Sequence, residues 1–145
     1  MDTVMDLPEA PNRMLKLRVK LCSFAALGPG KADLLEAVDR CGSITAAAKD
    51  RGMSYRRAWM LIDEMNHAFR EPVVGAVSGG KAGGGTRLTH MGREVVAIYR
   101  EVQQRAGAAV AEPLRRLERL VADNPEPPPG GTTCSGQPRP LRDDD

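Results

Sequence analysis

Aromatic side chains are scarce in this sequence: two Phe, two Tyr and one Trp among 145 residues. A core must therefore be assembled mainly from Ala, Val, Leu, Ile and Met. Cysteine is almost as rare. Cys22, Cys41 and Cys134 are odd in number, far apart and without a CxxC pair, and with His67 and His90 they match no zinc-ligand spacing. Metal and redox chemistry are set aside, and Cys22 and Cys41 read as small buried apolar residues. No stretch approaches the roughly 18–20 apolar residues of a membrane span. The first residues carry Asp2, Asp6 and Pro8 instead of a basic start and an apolar run, so no signal peptide is expected and the protein should be cytoplasmic. No nucleophile, base and acid stand together in a recognisable pattern. The sequence thus leads to no enzyme, no catalytic residue, no metal and no cofactor.

What is present is an uneven charge distribution. The net charge is only +2, yet residues 13–93 hold 14 basic and 7 acidic side chains, and the surplus of acid lies outside that stretch. A basic body with an acidic periphery suits a polyanionic partner, although a plain solvated surface would show the same balance.

Residues 1–13, with Pro8 and Pro11, read as a flexible lead-in; 14–122 read as one domain; and 123–145, rich in Pro and Gly and ending in three Asp, read as a disordered tail. From Leu15 to Leu21 apolar and basic residues alternate. That period places Leu15, Leu17, Val19 and Leu21 on one face of a half-buried strand and Lys16, Arg18 and Lys20 on the other. Gly28-Pro29-Gly30 reads as a turn. Leu34, Leu35 and Val38 then recur at helical spacing up to Gly42. Ser43 caps a short helix through Ala47 and Ala48 that Gly52 closes, where the missing Cβ suits a left-handed turn. Ser54 caps a third helix to about Phe69, with Ala58, Ile62, Met65 and Phe69 on one face. Val73–Val77 and Thr86-Arg87-Leu88 read as two strands around a glycine-rich tip, a small β-hairpin wing. After Thr89, a long helix carries Met91, Val95, Ile98, Tyr99, Val102 and Ala106 as an apolar stripe, with a kink or restart expected at Pro113.

The informative stretch is Ser43 to Trp59. Two capped helices meet through a glycine turn, and Ala47 and Ala48 permit the close crossing of a helix-turn-helix. The expected fold is mainly α: a winged helix-turn-helix with a β-hairpin wing and a long C-terminal dimerisation helix. The second helix offers Tyr55, Arg56, Arg57, Trp59 and Met60, with no acid between Ser54 and Ile62. Arginine can grip a guanine edge bidentately or neutralise a phosphate, and Ser54 can donate to a phosphate. With Thr45 on the preceding helix and Lys81 and Arg87 on the wing, these are the candidate DNA-binding residues. Each has a plainer alternative: Trp59 could pack in the core, and the arginines could be ordinary solvated charges. Gly80-Lys81-Ala82 lacks the Ser or Thr of a phosphate-binding loop, and no helix opens after it. His67 and His90 read as structural or surface residues. The stripe Val95, Ile98, Tyr99, Val102 and Ala106 is longer than one small domain should cover, which suggests a homodimer on an inverted-repeat operator. A winged-helix module that binds protein instead of DNA is the competing reading.

Residues Leu15 to about Arg105 resemble the N-terminal DNA-binding domain of ModE, the molybdate-responsive regulators. The resemblance rests on Ser43-Ile44, Ala47-Ala48-Lys49, Gly52-Met53-Ser54-Tyr55, Ala58-Trp59, Asn66, the wing glycines Gly79-Gly80 and Gly83-Gly84-Gly85 around Lys81, and Leu88-Thr89. It implies a homodimer that regulates molybdate uptake or molybdenum-enzyme genes, with Tyr55, Arg56 and the wing on duplex DNA. ModE proteins continue into molybdate-binding domains, whereas here Asp123 is followed by the proline-glycine tail. The sensing domain is therefore expected to be lacking, and molybdate binding by this chain is not expected.

Overall fold

The computed structural model describes residues 15–77 and 85–129. The lead-in 1–13, the wing tip 78–84 with Lys81, and the tail from 130 with Cys134 lie outside the described residues.

Local chemistry sets the helix boundaries. α1 spans Pro29–Cys41. The expected turn at Gly28-Pro29-Gly30 is instead this helix's start: Gly28 is the N-cap and Pro29 sits at the first helical position, where its missing N–H costs nothing and its fixed φ is already helical. Gly42 ends α1 at φ +79°, its N–H bonding the Val38 carbonyl at 2.9 Å. α2, Ile44–Asp50, starts where the Ser43 hydroxyl accepts from Ala46 N at 3.0 Å. α3, Tyr55–Ala68, starts where Ser54 accepts from Arg57 N at 3.1 Å. Each such cap stabilises its helix by about 1 kcal/mol. Gly52, at φ +65°, makes the turn between α2 and α3.

The core is what a sequence short of aromatics allows. Leu34, Leu35 and Val38 of α1, Ala47 and Ala48 of α2, and Ala58, Ile62 and Met65 of α3 are buried together. Small residues on α2 let three helices meet closely, and dense packing replaces the area that large rings would bury. Cys22 and Cys41 are free thiols and only half-buried, so neither is the buried apolar residue expected. Their chain segments lie at the rim, in a loop and in the last turn of α1.

Two antiparallel hairpins flank the helices. β1, Val19–Lys20, pairs with β2, Ala26–Leu27; β3, Val74–Val77, pairs with β4, Gly85–Leu88. The expected strand from Leu15 to Leu21 contracts to two residues, because β2 offers only Ala26 and Leu27 as ladder partners. Leu15, Leu17 and Leu21 are half-buried as the alternation implies, but Val19 is exposed.

α4, His90–Ala109, is capped by Thr89, whose hydroxyl accepts from Gly92 N at 3.0 Å. It restarts as α5, Ala111–Leu120. The break falls at Val110, not at Pro113. A proline ring clashes with the carbonyl four residues back, here Ala109, so the helix ends ahead of it and Pro113 lies in the first turn of α5. Val95 and Tyr99 depart from the expected dimer stripe: both are buried in the domain's own core, and the Tyr99 hydroxyl donates to the Leu17 carbonyl at 2.7 Å. Arg100 clamps α4 to α1 through Glu36 at 2.8 Å and Asp33 at 2.7 Å. Ile98 and Val102 remain exposed and Ala106 half-buried.

Candidate nucleic-acid interface

From Ser54 to Met60 every side chain of α3 except Ala58 is exposed. Tyr55 is 53%, Trp59 47% and Met60 55% exposed, so Trp59 is no core anchor. It sits between α3 and the base of the wing, sharing a cleft with Ile44, Asn66, Val74 and Thr86. Because the Ser54 hydroxyl oxygen accepts from Arg57 N, its hydrogen stays free to donate outward. Thr45 is exposed on the first turn of α2.

Several basic groups elsewhere are matched: Arg40 with Asp50 at 2.6 Å, Arg51 with Asp33 at 3.1 Å, and Lys31 with Glu64 at 3.2 Å. Arg56 and Arg57 have no carboxylate partner among the described residues, nor does Lys49 at the end of α2. Unpaired guanidinium groups on a capped helix turn leave their donors available to an incoming acceptor.

The wing is held to the helices by specific bonds. Asn66 Oδ1 accepts from Val73 N at 2.8 Å and from Val74 N at 3.2 Å, fixing the entry of β3 on α3. In the sequence Asn66 stands out only through the ModE resemblance, because a lone amide late in an amphipathic helix carries no periodic signal for this role. Thr86 N donates to the Gly42 carbonyl at 2.9 Å, and a Cβ on Gly85 would stand 2.8 Å from that same oxygen. Arg87 is exposed, but its Nη1 donates to the Asp39 carbonyl at 2.9 Å at the C-terminal end of α1. It therefore ties the wing to α1, a position sequence reasoning did not foresee. Phe24, between β1 and β2, is 54% exposed beside Trp59 and Met60, and was also missed. An isolated aromatic in a loop carries no periodic signal. Of the histidines, His67 contacts Asp63 on its own helix and His90 opens α4 in solvent. Among the described residues no cluster of His, Cys, Asp and Glu could hold a metal ion, and no helix is long and apolar enough to cross a membrane.

No protein-family model matches the chain. Individual relatives do. The chain is 44% identical over 96 residues to the molybdenum transport protein ModE of Azotobacter vinelandii, covering 66% of this chain and 36% of the relative. It is 41% identical over 101 residues to the molybdenum-pterin-binding protein MopB of Rhodobacter capsulatus, covering 70% and 36%. It is 41% identical over 95 residues to the DNA-binding transcriptional dual regulator ModE of Escherichia coli strain K12, covering 63% and 35%. The chain thus spans just over a third of the length of the curated relatives it matches. Over about two thirds of its own length, this chain is similar to ModE-type regulators, the resemblance that its helix-turn-helix and wing residues carry.

Proposed function

We propose that the protein is a DNA-binding transcriptional regulator of the ModE type, acting on genes for molybdate transport or molybdenum enzymes. One observation carries the reading: the first turns of α3 present Tyr55, Arg56, Arg57, Trp59 and Met60 together, with both arginines unpaired among the described residues. A helix so exposed at its N-terminal end fits the major groove, where Arg56 and Arg57 reach guanine edges or phosphates. Ser54 and Thr45 donate to the backbone, which fixes the register. Asn66 fixes the wing on α3 and Arg87 fixes it on α1, and Lys81, in the glycine-rich stretch between β3 and β4, is a further candidate for phosphate contact in this reading. The names of the relatives supply the molybdenum context.

Duplex DNA selected by the wild-type protein from a randomised pool, and duplexes upstream of molybdate-transport genes, test the reading in mobility-shift titrations. Arg56→Ala or Arg57→Ala is expected to cost about 1–3 kcal/mol if the residue reads a base, with relaxed preference at that position. Unchanged binding by the double variant would remove α3 from the groove.

A further inference from the structure

α3 is flanked on both sides. Its Trp59, Ile62 and Asn66 side lies against the wing strands, while its Arg57, Leu61 and Glu64 side, with Met53 just ahead of the helix, lies across a groove from the β1–β2 hairpin. That wall of the groove carries Lys20 of β1 and, in the segment leading into it, Lys16 and Arg18, all exposed and none with a carboxylate partner among the described residues. Glu64 is the one acid lining the groove among the described residues, and Lys31 neutralises it at 3.2 Å. Lys31 also donates to the Ala26 carbonyl at 2.7 Å, so a single ammonium group joins β2 to α3 and holds the hairpin at a set distance from the helix. Arg57 lines both this groove and the exposed face of α3, which makes the basic surface continuous from one to the other.

A Lys or Arg at every second position of an extended chain spaces positive charges about 6–7 Å apart, close to the step between successive phosphates of one strand. We infer that the β1–β2 hairpin is a second DNA-contacting arm, on the opposite side of α3 from the wing, whose Lys16, Arg18 and Lys20 follow the phosphates flanking the sequence read by α3. This rests on the proposed placing of α3 on duplex DNA. The hairpin makes no base contact in this arrangement; it adds affinity and footprint without changing sequence preference.

The test uses the full chain and the duplex selected by the wild type, alongside the same duplex trimmed at both flanks. The variant K16Q/R18Q/K20Q removes three exposed charges, and a charge-preserving K16R/R18K/K20R controls for folding. Each phosphate left without its cation should reduce the log–log salt slope by about 0.9, so the slope of the Gln variant should fall by about 2–3 while it selects the same sequence from the pool. Trimming the flanks should weaken the wild type and leave the Gln variant nearly unaffected, and the charge-preserving variant should behave as wild type. An unchanged slope in the Gln variant, with wild-type binding intact, overturns the arm but not the reading of α3. A Gln variant that selects a different sequence overturns the phosphate-only role. A wild type that selects no duplex overturns both.

Discussion

Tyr99 shows how one polar atom binds distant parts of the chain. Its ring fills the space between α1 and α4, and its hydroxyl reaches the Leu17 carbonyl 82 residues away, at the foot of the basic hairpin. Burial raises its pKa above the ordinary 10.0, with the nearby Asp33 carboxylate adding to the rise and Arg100 opposing it. The sign follows directly. The folded state favours the neutral phenol, so its stabilisation is complete below the unfolded value and is lost as pH climbs through 10 toward the folded value. Thermal melts of the wild type should therefore fall more steeply above pH 10 than those of Tyr99→Phe. At neutral pH the Phe variant should be about 1 kcal/mol less stable, because its ring cannot donate the hydrogen bond. Parallel alkaline profiles for the two proteins would show that the phenol does not couple to folding.

Among the elements, the joint between α4 and the wing is the tightest. Gly92 lies in the first turn of α4, and a Cβ there would stand 2.0 Å from the Val73 carbonyl oxygen and 3.1 Å from the Leu88 side chain. The carbonyl is held in turn by Thr89 N at 3.0 Å, so it cannot simply turn aside. Alanine normally favours a helix over glycine by about 1 kcal/mol, but here the backbone clash outweighs propensity. Gly92→Ala is expected to destabilise the domain by about 2–3 kcal/mol in denaturant melts, by forcing α4 from the base of β3. Greater stability than wild type would mean that helix and hairpin do not touch there in solution. The periodic pattern of α4 was legible in sequence because apolar residues recur every three or four positions. The need for glycine at 92 was not, since it arises from a carbonyl on another element that only the folded chain brings against α4.

At the scale of the whole molecule, apolar surface remains on the outer side of α4 and α5. With Val95 and Tyr99 consumed by the core, the exposed apolar groups are Ile98 and Val102 on α4 and Leu117, Leu120 and Val121 at the far end. In the proposed reading two copies pair through these groups, which would set two α3 helices in successive major grooves roughly 34–36 Å apart on an inverted repeat. Ile98→Glu with Val102→Glu should yield monomers in sedimentation and much weaker binding to the full repeat, with the fold intact because neither side chain is in the core. Wild type that sediments as a monomer and binds a single half-site at full strength would contradict the pairing.

The sequence alone determined which segments are helical, the serine and threonine caps, the glycine turn between α2 and α3 and the exposed basic face of α3, because these depend on neighbours three or four residues apart. It also sufficed to mark the ModE resemblance, carried by short runs of residue identity. Tertiary structure decided the rest. It turned Gly28-Pro29-Gly30 from a turn into the start of α1, drew Val95 and Tyr99 inward, and moved Arg87 onto the end of α1. It also set the Lys16, Arg18 and Lys20 hairpin beside α3. Each of these outcomes depends on which surface a side chain meets after the chain has closed on itself, and no local period encodes that.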